Sequence, residues 1–328
     1  MGIQIVKHGL LSKIIKYCKN TKIFATEGTL LTILIFLATF LSIASQFFLT
    51  FENITNLVRH TSIVGVVAIG MTFVIISGGI DLSVGSVLGF SGMTAAILMR
   101  DGNNIYIAII AGILSGTVIG VINGVIIHKG KVPPFIATMG SMIVVRGVIM
   151  LISGARMVSG LPREFTNFSQ HGFLGVPNLF IVWLSIMFLA NFLAKRSLFG
   201  RNIHAIGSNV EASRLSGIKI QNNIIKVYAF CAFMASVAGI MMTSRLASGV
   251  PTGGDGFELD AIAAAVIGGA SLSGAEGTVL GTVLGAFIMA MLRNGGTLMG
   301  INPFLLQIAI GSIVVAAVLI DKQKKSKR

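Results

Sequence analysis

Charge is what this sequence has least of. Of 328 residues, 11% are Asp, Glu, Lys or Arg, and only 11 residues are acidic; soluble domains carry about a quarter. A chain this long keeps much of its folded surface in contact with solvent and needs polar side chains to cover it if that solvent is water. The shortage excludes a water-soluble globule. Cysteine is nearly absent too. Cys18 lies in a basic N-terminal segment and Cys231 in an apolar run, so no disulfide framework is implied. The five histidines, His8, His60, His128, His171 and His204, are scattered, and no zinc motif or nucleophile elbow occurs. There is no P-loop: the nearest approach, Gly124 through Gly130-Lys131, has the wrong spacing and ends in Val132 where Ser or Thr is required. The expectation is a chain with no catalytic residues and no metal or cofactor of its own, so that any active transport draws its energy from a gradient or another subunit.

Apolar residues and glycine fill the space. The chain is 54% hydrophobic with 40 glycines, and its mean hydropathy is +0.89. Glycine costs a soluble helix about 1 kcal/mol relative to Ala, whereas in lipid small residues let helix backbones approach closely. The composition predicts a tightly packed all-α bundle, polytopic in the membrane. A spanning helix needs about 20 mostly apolar residues, and ten candidates run at roughly 27–48, 61–78, 82–99, 105–127, 134–152, 177–194, 224–245, 260–273, 277–292 and 302–320. The eighth is short and rich in Ala and Gly, as a broken or re-entrant segment would be. The predicted organisation is a basic cytoplasmic segment at 1–26, a transmembrane domain at 27–320 with a cytoplasmic loop at 195–223, and a basic cytoplasmic tail at 321–328. The N-terminal polar stretch is too long and the following apolar run exceeds the 7–15 residues of a signal-peptide core, so 27–48 reads as a retained first helix.

The net charge of +14 would suggest nucleic acid on a soluble protein. On a membrane protein position decides instead, and no nucleic-acid partner is expected. With ten spans and a cytoplasmic N-terminus, 18 of the 25 Lys and Arg residues fall on the inner side, six on the outer side, and Arg146 within a span. This bias places both termini inside.

Polar residues within the apolar segments are the candidate path residues. Gly78-Gly79-Ile80-Asp81-Leu82-Ser83 separates the second and third spans. Adjacent glycines weaken the helix, and Asp81 or Ser83 suits a cap for the next one. The stretch is either a tight inner-side turn or a helix break lining a solute path, and segment length tilts the choice to the turn. Arg146 is expensive in lipid and requires an interior carboxylate or water, with Asp81 a candidate partner. Asn123 fits interhelical hydrogen bonding first and path lining second. Pro133-Pro134 opens a helix. Asp255, Glu258 and Asp260 precede the eighth span, where Glu258 or Asp260 is placed to cap it; a metal site lacks nearby His or Cys. The pair Gly78-Gly79 with Leu82-Ser83 loosely echoes Gly268-Gly269 with Leu272-Ser273, which in a Gly-rich chain reads as coincidence.

The basic inner loop carries a local signature. Ser208-Asn209-Val210-Glu211 fits a capping box with Ser208 at the N-cap, and Gly217 suits the left-handed C-terminal position. The implied two-turn helix, roughly 209–216, is unstable alone and needs a surface. Ala205, Ile206, Val210, Ala212, Leu215 and Ile218 offer apolar contacts, either to a cytoplasmic partner or to the protein's own inner face.

Four stretches, Gly70-Met71-Thr72 through GGIDLSVGS (78–86), KVPPFIATMGSM (131–142), AIGSNVEASRLSGI (205–218) and ELDAIAAAVIGGASLSG (258–274), with the outer SGLP (159–162), resemble the permease subunits of bacterial ABC importers for ribose and related monosaccharides. The resemblance runs from about residue 50 to 320. It implies an importer subunit of the bacterial cytoplasmic membrane, working by alternating access as a permease homodimer with the pathway at or near its axis. It further implies a separate ABC-type ATPase that uses ATP and Mg, and an extracytoplasmic sugar-binding protein. On this resemblance Ala205, Ile206, Gly207, Ser208, Asn209, Glu211, Ala212, Leu215, Ser216 and Gly217 form the element that couples to the ATPase, and ribose is the first expectation for the cargo. The rival reading is an ion-coupled secondary transporter, for which Asp81 and Arg146 are the only plausible midplane groups. A membrane-embedded enzyme would need a clustered site, which the scattered histidines do not supply.

Overall fold

A computed structural model describes residues 22–326; most of the basic N-terminal segment, including Cys18, and the last two residues of the tail lie outside the described residues. Thirteen helices follow one another among them: α1 Lys22–Ala44, α2 Phe51–Ile76, α3 Val84–Arg100, α4 Ile105–Lys129, α5 Pro134–Ser153, α6 Arg163–Gln170, α7 Asn178–Arg196, α8 Leu198–Ser208, α9 Val210–Leu215, α10 Ile220–Leu246, α11 Phe257–Ile267, α12 Val279–Leu298 and α13 Pro303–Ser326. A two-stranded antiparallel ribbon, β1 Gly172–Phe173 and β2 Val176–Pro177, turns through Leu174 and Gly175, both at positive φ. Seven helices, α1, α2, α4, α5, α7, α10 and α12, are long and apolar enough to cross a membrane, and α3 and the start of α13 are shorter apolar helices.

The molecule is organised around α2 and α10. In α2, 89% of the apolar stretch is buried, against 11% in α1, so α2 is the central pillar and α1 a peripheral helix. Side chains such as Phe36, Leu114, Leu151 and Phe188 remain exposed on α1, α4, α5 and α7. Lipid solvates such faces, and the chain is a multi-pass membrane protein.

The glycine content has a structural use. Gly112, Gly116, Gly120 and Gly124 recur every fourth residue of α4 and are buried, so they lie along one face. A Cβ on Gly124 would lie 2.6 Å from the Ile225 Cα, and one on Gly120 would strike Ala232 and the Tyr228 carbonyl. The stripe therefore seats the α10 backbone directly against α4. Hydroxyls and amides supply the remaining joints: Thr72 and Thr282 share a 2.6 Å hydrogen bond between α2 and α12, Asn53 and Asn294 exchange side-chain hydrogen bonds, and Ser169 and Ser244 tie α6 to the end of α10.

Two helices stop inside the bundle. α2 ends at Ser77, whose N–H bonds to Phe73 O, while those of Gly78 and Gly79 bond to Ile75 O and Val74 O. α11 ends the same way: Gly268 to Ala264, Gly269 to Val266 and Ala270 to Ala265. Gly78 and Gly269 occupy the left-handed position at φ +84° and +91°, which glycine adopts without a Cβ penalty. The two stretches share this local helix ending, in a register one residue away from the apparent sequence match. α11 has 11 residues, about 16 Å at 1.5 Å per residue, roughly half a hydrocarbon core. This is the broken segment expected of the eighth apolar run. The long connection between α5 and α7, which the sequence shows only as a loop, contains α6 and the ribbon.

Candidate translocation and coupling sites

The break between α2 and α3 is a buried polar junction. Asp81, Ser83, Asn123 and Thr138 are all fully buried. Asp81 Oδ1 accepts from the Ser83 N–H at 2.9 Å and the Ser83 hydroxyl at 2.6 Å. The Asn123 amide donates to Ser83 Oγ at 3.0 Å, and its carbonyl oxygen accepts a short hydrogen bond from Ser141. Thr138 Oγ1 accepts from the Leu82 N–H at 3.1 Å and donates to the Pro134 carbonyl at 2.9 Å. One carboxylate thus organises a joint between the break, α4 and α5. Asp81 Oδ2 and the Tyr228 hydroxyl have no hydrogen-bond partner among the described residues, and Tyr228 Oη occupies the space a Cβ on Gly79 would take.

The stretch at 78–83 is a buried joint packed on α10 through Tyr228, and Ile76 just before it meets Gly207 of the basic loop. Asp81 does not cap α3: Ser83 is the N-cap residue and makes no side-chain cap bond. Asn123 uses both ends of its amide on protein groups, as interhelical bonding requires. Thr138 and Ser141 are members of this junction that the sequence reading misses. They lie one turn apart in KVPPFIATMGSM, and that polar spacing on an otherwise apolar helix is the available signal.

Arg146 is not brought to Asp81. Its guanidinium donates to the Gly253 carbonyl at 2.9 Å and lies 2.6 Å from Asp255 Oδ1. The connection between α10 and α11 thus folds back onto the bundle as a strap. Gly249 bridges to Val158 in antiparallel fashion. Carbonyls of Gly253 and Gly254 occupy the space that side chains on Gly89 and Gly85 of α3 would fill. The three carboxylates of this strap go separate ways. Asp255 meets Arg146, Asp260 meets Arg293 at 2.5 Å, and Glu258 Oε1 accepts from the Gly256 N–H at 3.3 Å. Neither Glu258 nor Asp260 caps α11 in the expected sense, because Gly256 is the N-cap residue and α11 has no side-chain cap bond. Among the described residues no group of three His, Cys, Asp or Glu side chains could hold a metal ion.

The basic loop folds into two short helices. α8 packs inward: Ile203 and Ile206 are buried, and Ala205 and Gly207 are half-buried. α9 projects outward, with Val210, Glu211, Ala212, Leu215 and Ser216 exposed. Its cap is Asn209, whose Oδ1 accepts from the Ala212 N–H at 2.9 Å; Ser208 is the last residue of α8. The N-cap read from sequence is displaced by one residue because α8 continues through Ser208, and no capping box forms, since Ala212 stands at N3. Glu211 does not reach back to the cap and pairs with Arg214 at 2.8 Å. Gly217 closes α9 at φ +80°, with its N–H on the Arg214 carbonyl and that of Ile218 on the Ser213 carbonyl. Of the apolar surface expected there, Ile206 faces the protein itself, while Val210, Ala212 and Leu215 face out.

Helices that break inside a lipid-facing bundle, with polar groups gathered at the break, define a membrane permease. The chain belongs to the family described as the branched-chain amino acid transport system / permease component, which it matches over residues 53–320. It is similar to the ribose import permease protein RbsC of Escherichia coli strain K12, with 40% identity over 311 residues covering 93% of this chain and 96% of that protein. The ribose import permease protein RbsC of Bacillus subtilis strain 168 is 40% identical over 295 residues, 89% of this chain and 92% of that protein. The D-allose transport system permease protein AlsC of E. coli K12 is 36% identical over 296 residues, covering 90% and 91%. No solved structure matches.

Proposed function

We propose that this chain is the membrane-spanning subunit of an ATP-binding-cassette importer for a monosaccharide, with ribose the first candidate cargo. The observation that carries the reading is 40% identity to a ribose import permease along 93% of this chain, supported by relatives named for allose and xylose. The subunit sits in the bacterial cytoplasmic membrane as ten spans, with α11 and α12 as a broken pair and both termini cytoplasmic. The positive-inside bias supports that orientation.

In this reading two permease copies enclose the path. A separate ATPase, using ATP and Mg, docks on α9, and a sugar-binding protein delivers cargo on the opposite face. Exposed Val210 and Leu215 on a capped helix with an ion-paired flank suit a protein–protein contact better than a free surface. Alternating access requires each partner to bind the two permease conformations unequally. The Asp81 junction and the Arg146 strap lie at two joints where helices would have to part. The energy source lies outside this chain, whose part is conformational.

The test is uptake of radiolabelled ribose into proteoliposomes carrying the permease with its ATPase and binding protein. ATP-dependent accumulation that vanishes without either partner is the expected result. Uptake by the chain alone, abolished by an ionophore and indifferent to ATP, would instead establish the ion-coupled alternative.

A further inference from the structure

His204 lies on the inward side of α8, half-buried, with Nδ1 2.8 Å from the Ala275 carbonyl oxygen. A carbonyl can only accept, so Nδ1 carries the hydrogen and donates. Ala275 is no ordinary loop residue. Its φ is +65°, the left-handed region that disfavours any residue with a Cβ. Such a conformation persists where its surroundings over-determine it. Both backbone groups of Ala275 are engaged: its N–H donates to the Ile76 carbonyl at 2.9 Å, and its carbonyl accepts from His204.

These contacts join three elements. Ile76 is the last residue of α2, and the Asp81 junction begins just beyond it. Ala275 lies in the segment between α11 and α12. Gly207 of α8 closes the triangle, since a Cβ there would fall on the Ile76 carbonyl oxygen and 2.7 Å from the Ala275 nitrogen. Both helix breaks therefore meet α8 at one point, backbone against backbone, and the His204 imidazole adds a side-chain hydrogen bond to the strained residue, which the Ser271–Glu276 turn also brackets.

We infer that His204 is a positioning residue that transmits movement of the α8–α9 pair to the two helix breaks together, by pinning Ala275 between them. The inference rests on the importer reading and adds to it the route by which α9 would act on the Asp81 junction. The imidazole serves here as a rigid donor, and an Asn amide nitrogen placed at the position of Nδ1 can replace it.

The experiment uses the complete complex of permease, ATPase and binding protein in proteoliposomes, and reads ATP hydrolysed per ribose imported. His204→Leu should raise that ratio about tenfold, within the range typical of coupling between sites, with ATPase content unchanged. His204→Asn should restore it to near the wild-type value. Adding Ala275→Gly to His204→Leu should recover part of the coupling, because glycine holds the left-handed conformation without help. If His204→Leu does not assemble with the ATPase, His204→Ala carries the same expectation with less bulk. A wild-type ratio in assembled Leu or Ala variants overturns the inference, as does an Asn variant uncoupled as fully as Leu. A wild-type complex that imports none of ribose, allose or xylose with ATP overturns the importer reading and this inference with it.

Discussion

Arg146 and Asp255 sit 2.6 Å apart, and together they close the strap between α10 and α11 over the glycine faces of α3. The guanidinium side chain is 19% exposed and the carboxylate 58%, so the pair is anchored at the arginine end. Replacing Arg146 with Met should loosen the strap and leave the Gly253 carbonyl without its donor. A double-mutant cycle with Asp255→Asn should show a coupling of about 0.5–2 kcal/mol in the thermal stability of the purified permease. Additive effects would show that the contact contributes nothing.

The second ion pair of this strap should cost more to break from one side. Asp260 is mostly buried while Arg293 is partly open. Arg293→Met leaves a buried carboxylate unpaired, with an expected loss of up to about 3 kcal/mol, at the low end for buried pairs because Arg293 is partly solvated. Arg293→Met combined with Asp260→Leu should be more stable than Arg293→Met alone. Thermal unfolding of the three proteins in one detergent decides the order.

The packing of α4 on α10 makes a contrast between two glycines. Gly124→Ala places a methyl 2.6 Å from the Ile225 Cα, and backbone must move to receive it. A destabilisation of about 1–3 kcal/mol is expected. A Cβ added at Gly140 on α5 would have no neighbour within 4 Å, so Gly140→Ala should be neutral or gain up to about 1 kcal/mol through helix propensity. Melting temperatures of the two variants should move in opposite directions, or the second not at all.

Asn123→Ala should weaken the buried junction, because Ser141 loses its acceptor and Ser83 Oγ loses a donor. A loss of about 1–3 kcal/mol is expected for such stranded groups. Ribose uptake should fall with it while the ATPase remains bound. Wild-type stability and uptake in the Ala variant would remove the junction from the mechanism.

At α9 the cap residue separates two readings. Asn209→Ala should cost about 1 kcal/mol of local helix stability and raise ATP consumption per ribose, whereas Ser208→Ala should be silent. The reverse order would restore Ser208 as the cap that its sequence spacing suggests.

Much of the architecture was legible in the chain itself. The apolar segments at 105–127 and 134–152 correspond closely to α4 and α5, because lipid solvation demands long uninterrupted apolar runs and the sequence displays them directly. Gly217 and Gly78 were legible as helix stops because their left-handed geometry depends on local sterics. The position of the α9 cap was misplaced by one residue for a tertiary reason. Burial of Ile203 and Ile206 draws α8 onto the bundle, and the helix runs on through Ser208 before Asn209 can cap the next.

Composition and spacing alone determined that this chain lives in lipid, where its long apolar helices run, and that adjacent glycines interrupt the chain at 78–79, since each of these follows from solvent quality or from neighbours in sequence. Only the tertiary structure decided the partners. It gave Arg146 to Asp255 in place of Asp81, joined Asn123 to Ser83 and Ser141, and brought His204 to Ala275 from 71 positions away. Those choices depend on which helix faces meet, and side-chain hydrogen bonds act over a few ångströms of space whatever the distance along the chain.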